Sequence, residues 1–146
     1  MFDTHGIPSD RIELLGLVPD QQAHLDTYRR IDIALDTFPY NGTTTTCEAL
    51  YMGVPVITLV GQVHAGRVGL SLLGNLGLDE LIARTPNDYM AFAVSLANKW
   101  ERVCELRDTL RERLLTSVIC DADSFARKVE QAFRQIWRNW CSTQIS

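Results

Sequence analysis

The chain has 146 residues, enough for one compact domain, and its 46% hydrophobic and 22% charged composition is that of a globular protein rather than a disordered one. A formal net charge of -4 argues against a nucleic-acid partner, which calls for a basic excess or stripe. Apolar runs such as Val54 to Val60 are too short to span a bilayer, and the opening MFDTHGIPSD has neither the basic nor the apolar part of a signal peptide, so the expectation is a cytoplasmic chain without membrane contact.

The four cysteines, Cys47, Cys104, Cys120 and Cys141, contain no CxxC pair and have no matching histidine pair for zinc. They read as reduced thiols, and neither a metal nor a cofactor is expected. No internal repeat and no low-complexity tract interrupts the chain.

In chain order, Ile12 to Gly16 is a short strand candidate. Asp20 is placed to cap a helix running through Leu25 and Tyr28 to Arg30. Ile31, Ile33 and Leu35 alternate with polar or small residues and predict a strand that ends on the carboxylate of Asp36. Thr37 to Gly42 carries Pro and Asn-Gly and reads as a loop. Thr43 to Thr46 then opens a helix through Cys47, Leu50 and Tyr51 that stops at Gly53. Val54 to Val60 is apolar on both faces, the pattern of a central parallel strand, with Pro55 confined to its first residues. A helix with Val68, Leu72 and Leu73 follows, and Glu80 to Ala83 is a last strand.

From Tyr89 to Leu110, and again from Phe125 to Trp140, apolar residues recur at steps of three and four, which predicts two long helices. The aromatic stripe Phe125, Phe133, Ile136, Trp137 and Trp140 is expected to be core. The organisation is thus strand–helix alternation over 1–85 and helices over 86–146, within a single partial domain. The fold class is α/β with a short parallel sheet. Three or four strands are fewer than the roughly six of a complete doubly wound domain, so the chain reads as the distal half of one.

Parallel sheets bind ligands beyond the carboxyl ends of their strands, and two loops lie there, Asp36 to Thr46 and Val60 to Arg67. In the first, a helix start offers free N–H groups and partial positive charge, four threonine hydroxyls add donors, and Gly42 lets backbone approach a bulky anion. The sum is a phosphate or diphosphate cradle. Glu48, one turn further in at about 5 Å along the axis, is placed to accept hydrogen bonds from a ribose. The competing reading is structural: Thr45-Thr46-Cys47-Glu48 fits a capping box. Arg67 is the nearest candidate cation, and His64 and His24 flank the cleft. No GxGxxG, GxxxxGK[ST] or GxSxG is present.

The run from Leu35 to Leu73, LDTFPYNGTTTTCEALYMGVPVITLVGQVHAGRVGLSLL, strongly resembles the C-terminal catalytic region of the O-GlcNAc transferase and SPINDLY family. These are GT-B glycosyltransferases carrying tetratricopeptide repeats. The likeness extends from His5-Gly6-Ile7 to Phe133-Arg134-Gln135-Ile136-Trp137. It implies a GT-B donor-binding domain and places Thr44 and Thr45 on the donor diphosphate, beside Gly42 and Thr43, with Glu48 on ribose. Thr43 stands where the O-GlcNAc transferase branch has histidine. His24 matches a histidine of the family's loop over base and ribose, Gln21 falls where that branch has lysine, and Pro19 and Asp20 would lie beside the base. The all-threonine version followed by Cys-Glu looks more like the SPINDLY branch, which uses GDP-fucose.

The resemblance implies an enzyme moving a sugar from UDP-GlcNAc or GDP-fucose to Ser or Thr of an acceptor protein, without a metal. The acceptor-side domain, the repeats and a phosphate-binding lysine would lie upstream. This chain alone is therefore expected to be inactive and to self-associate through an unpaired strand edge near Leu14. Two rivals stand beside it: another GT-B enzyme, such as an N-glucosyltransferase or an epimerase, and a non-catalytic module that keeps the nucleotide cradle as scaffold.

Overall fold

The computed structural model describes residues 2–18 and 20–144. A three-stranded parallel sheet has the order β1 (Ala34–Leu35), β2 (Val56–Leu59), β3 (Ile82–Ala83). Ala34 pairs with Val56 and Leu35 with Ile57, while Thr58 pairs with Ile82 and Leu59 with Ala83. The central strand is buried except at its last residue, which explains its unbroken apolar sequence. Pro55 precedes the strand, and its carbonyl accepts from Ala34 N at 2.9 Å, so its missing N–H costs no ladder bond.

Helices join these strands. Asp20 caps α1 (Gln21–Thr27) as expected, its Oδ1 accepting from Ala23 N at 2.8 Å. The helix ends earlier than the sequence predicts and tightens into a 3-10 turn over Tyr28–Arg30. Next come α2 (Thr44–Tyr51) and α3 (Val68–Asn75). Gly53 ends the α2 segment at φ +81°, and a Cβ there would sit 2.6 Å from the Arg107 carbonyl oxygen. This glycine is what lets the following helices approach α2.

Three expectations need correction. Residues 12–18 form no strand, because no neighbouring segment among the described residues offers them a ladder of hydrogen bonds. Leu14 and Leu17 stand exposed in an extended segment, and the free edge of the sheet belongs instead to β1, with Leu35 more than half exposed. Among the described residues the C-terminal third holds three helices, not two: α4 (Pro86–Ala97), α5 (Trp100–Thr116) and α6 (Ala122–Gln144). The apolar period runs through the break at Asn98 and Lys99 because both helices turn the same kind of face to one core, with Leu96, Val103, Leu106 and Leu110 all buried. The Asn98 side chain turns back to the Val94 carbonyl at 2.8 Å and helps end α4 there.

The third correction concerns the aromatic stripe. Phe125, Phe133, Ile136, Trp137 and Trp140 are 53–68% exposed. The period of three and four reports an amphipathic helix, not what its apolar face meets. The core lies between β2 and its helices: α3 and α4 pack on β2 and β3, and α5 packs on α2. Leu50, Ile57, Leu73, Leu106 and Leu110 are fully buried within it. All four cysteines are free, as expected.

Candidate functional site

The described residues include four buried polar ones, Asp36, Asn41, Thr46 and Thr58, and all four sit around the start of α2. The Asp36 carboxylate, at the carboxyl end of β1, accepts from Gly42 N and from Thr58 Oγ1, each at 2.7 Å. Its main-chain carbonyl accepts from the Tyr89 hydroxyl at 2.8 Å. Burial, then the nearby Asp36 charge, pushes the Tyr89 hydroxyl above its ordinary range, so it remains a donor.

Asn41, fully buried, donates from Nδ2 to the Thr37 carbonyl at 3.0 Å and accepts at Oδ1 from Gly69 N at 3.4 Å. Its own N–H donates to the Ala65 carbonyl at 2.8 Å. These bonds tie the loop after β1 to the loop after β2. Gly69, the second residue of α3, has no room for a side chain: a Cβ there would overlap the Thr58 hydroxyl and lie 2.9 Å from Asp36 Oδ2.

The helix start that results divides the four threonines. Thr46 is buried and donates to the Gly42 carbonyl at 3.0 Å, closing the turn from inside. Thr43, Thr44 and Thr45 are exposed, and among the described residues their hydroxyls make no hydrogen bond. The first N–H groups of α2 have no carbonyl one turn back to bond. Gly42 contributes space rather than a donor, since its N–H is held by Asp36.

The capping box is not formed. The helix begins at Thr44 with Thr43 at the cap, whose side chain makes no cap bond, and Glu48 lies in the second turn. The Glu48 side chain turns to α1 instead: Oε2 lies 2.9 Å from His24 Nε2 and accepts from the Tyr28 hydroxyl at 3.3 Å. His24 meets Tyr28 edge-on, with ring centroids 5.7 Å apart. The carboxylate keeps 24% of its side-chain surface open and His24 keeps 42%.

Two cavities meet at this helix start. One, of about 150 Å³, is lined by Gly42, Thr45, Tyr28 and Asp36 among others. The other, of about 670 Å³, brings Thr43 together with His64 and Arg67. Arg67 is exposed, with one long contact from Nη1 to the Gly61 carbonyl at 3.4 Å. Gln21, the first residue of α1, is exposed one turn before His24. Pro19 lies outside the described residues.

Sequence reasoning missed Tyr28, Asn41, Thr58 and Tyr89 as parts of this arrangement. Asp36 was visible as a carboxylate at a strand end, a signal that something must satisfy it. The others carried little signal: apart from the Asn41 bond to the Thr37 carbonyl four residues back, their side-chain partners are 17 to 53 residues away. Cys47, beside Glu48 on α2, is held above its ordinary pKa range chiefly by burial, so little thiolate is present at neutral pH.

Comparison with known proteins gives these features a context. The model of glycosyl transferase family 41 matches residues 1–129. The chain is 48% identical over 136 residues to a probable UDP-N-acetylglucosamine–peptide N-acetylglucosaminyltransferase SPINDLY of Hordeum vulgare, which covers 93% of this chain and 14% of that protein. The protein of the same name from Arabidopsis thaliana is 44% identical over 140 residues, covering 96% of this chain and 15% of its own length. The solved structure of an O-GlcNAc transferase mutant from Thermobaculum terrenum superposes with a TM-score of 0.87 at 43% identity, over 97% of this chain and 27% of that one. The chain therefore spans about one-seventh of the curated relatives named here. With the parallel sheet, the threonine helix start and this match over most of its length, the chain belongs to glycosyl transferase family 41.

Proposed function

We propose that this chain is the donor-binding part of a protein O-glycosyltransferase, which moves a sugar from UDP-GlcNAc or GDP-fucose to Ser or Thr hydroxyls of an acceptor protein. The observation that carries the reading is the exposed Thr43–Thr45 turn at the N-terminus of α2, at the carboxyl edge of a parallel sheet, with Glu48 one turn inward. Free N–H groups and hydroxyls at such a terminus suit a diphosphate. A carboxylate at about one helical rise per turn suits the ribose hydroxyls.

In this reading the acceptor oxygen attacks the anomeric carbon, the bond from that carbon to the diphosphate oxygen breaks, and the acceptor proton leaves to a base outside this chain. The departing negative charge is met by the α2 terminus and by Arg67, across the cavity that Thr43 and His64 share with it. His24 orients Glu48, and Gln21 lies toward the base. No metal is needed for the charge balance, so transfer should proceed in excess chelator. Within one partial domain, the strand–helix region 1–85 supplies the site, and α4 and α5 of the helical region 86–146 pack against the elements that carry it.

Calorimetric titration of UDP and GDP into the natural full-length protein tests this reading. Thr44→Ala combined with Thr45→Ala should weaken the preferred nucleotide at least tenfold, since each hydrogen bond to a charged oxygen is worth roughly 1.5–3 kcal/mol and about 1.4 kcal/mol is tenfold. Whichever nucleotide binds more tightly identifies the donor class. Binding of neither would leave the scaffold-module reading in its place.

A further inference from the structure

We infer that Tyr28 is a positioning residue for the donor: its hydroxyl holds the Glu48 carboxylate against the first turns of α2 and so sets the grip on the ribose hydroxyls of a nucleoside diphosphate. This rests on the donor-site reading above. The hydroxyl is 3.3 Å from Glu48 Oε2 and 3.3 Å from the Thr45 carbonyl oxygen, so one donor bridges the ribose candidate and the diphosphate candidate on the same helix. With His24 Nε2 also on Oε2, both contacts fall on one carboxylate oxygen. Oε1 has no partner among the described residues and is left to accept from a ligand.

The tyrosine is itself held from behind. Arg107, on α5, donates from Nη2 to the Tyr28 carbonyl at 3.4 Å and from Nη1 to the Ile31 carbonyl at 2.9 Å. Because α5 also packs on α2, the turn that carries Tyr28 and the helix that carries Glu48 are fixed to one common element. Tyr28 as a whole is 8% exposed, so the hydroxyl cannot swing away without leaving the core. Burial, then the Glu48 charge, pushes this hydroxyl up to about 12, which keeps it a donor throughout the neutral range.

A tyrosine that merely fills the core would need only its ring. Tyr28→Phe keeps the ring and removes one oxygen, so the two roles separate. The experiment is titration of the natural full-length protein and its Tyr28→Phe variant with UDP and GDP and with their 2′,3′-dideoxy forms, alongside thermal melting. The variant should bind the preferred ribonucleotide about three- to tenfold more weakly, the worth of one ordinary hydrogen bond, and bind the dideoxy form as the wild type does. Equal losses for both forms, with a lowered Tm, would mean a structural role and overturn the inference, as would an unchanged ribonucleotide affinity. Binding of neither UDP nor GDP by the wild type would instead overturn the donor-site reading, and this inference with it. A second variant guards against poor folding of the first. Glu48→Gln should erase the same ribose discrimination, and adding Tyr28→Phe to it should cost nothing further. Additive losses would show that Tyr28 does not act through Glu48.

Discussion

At the start of α2, Asp36, Asn41, Thr46 and Thr58 are each less than 10% exposed, and each has a hydrogen-bond partner within 3.4 Å. Along α6, Phe125, Phe133, Ile136, Trp137 and Trp140 are each more than half exposed, and Trp137 and Trp140 stack on one another at 5.3 Å. The polar region is the buried one and the aromatic region the open one, a reversal of what composition suggests. The difference lies in the partners. A buried polar group is stable only with fixed neighbours, so the loops after β1 and β2 are locked together. A helix pairs most of its backbone groups within itself, so α6 keeps its hydrogen bonds with its apolar face open.

Substitutions sharpen that contrast, beginning with the largest effect. Leu110→Ala, in the fully buried face of α5, should destabilise the chain by about 2–5 kcal/mol in urea denaturation, as large-to-small changes in cores do. Asp36→Ala should cost nearly as much, about 3 kcal/mol, because it strands the Gly42 N–H and the Thr58 hydroxyl in the interior. If Asp36→Ala were as mild as a surface change, the polar network would not be what joins the two loops.

A pH series probes the same region. The Tyr28 hydroxyl sits at about 12 in the fold against 10.0 for an ordinary tyrosine, and Tyr89 is raised too. Between those values the unfolded chain releases protons that the folded chain keeps. Stability contributed by the neutral hydroxyls is therefore full below pH 10 and is lost as pH rises toward 12. Melting temperature should fall over that window, and Tyr28→Phe should flatten the fall. An unchanged slope in the variant would mean that Tyr28 is not held as described.

The smallest effect is expected on α6. Phe133→Ser in the 146-residue chain should change stability by no more than about 0.5 kcal/mol, as surface changes do. A loss near that of Leu110→Ala would show that the stripe is covered in solution. That result would erase the difference between the two regions.

No described helix is long and apolar enough to cross a membrane, in line with the short apolar runs of the sequence. The element order was also legible. Alternation marked β1 and a run apolar on both faces marked β2, since the period of a strand is local. Asp20 announced the cap of α1, because its partner is three residues away. The strand proposed near Leu14 failed because a strand needs a neighbour, and the segment's own residues do not say whether one exists.

The candidate site divides in the same way. Four consecutive threonines after a strand were enough to place a helix start at the carboxyl edge of the sheet. Which three face outward and which one closes the turn was decided by packing, through Thr46 and the Gly42 carbonyl. Sequence spacing left Glu48 balanced between a cap and a ligand. The structure leaves the cap unformed and brings His24 and Tyr28 to the Glu48 carboxylate from residues 24 and 20 positions earlier. Sequence by itself determined what lies within a few residues along the chain: caps, periods, and the threonine turn. Contacts that cross tens of residues, such as Asp36 with Thr58, Arg107 with the Tyr28 carbonyl, and the open face of α6, depend on where whole elements dock, and only the tertiary structure decided those.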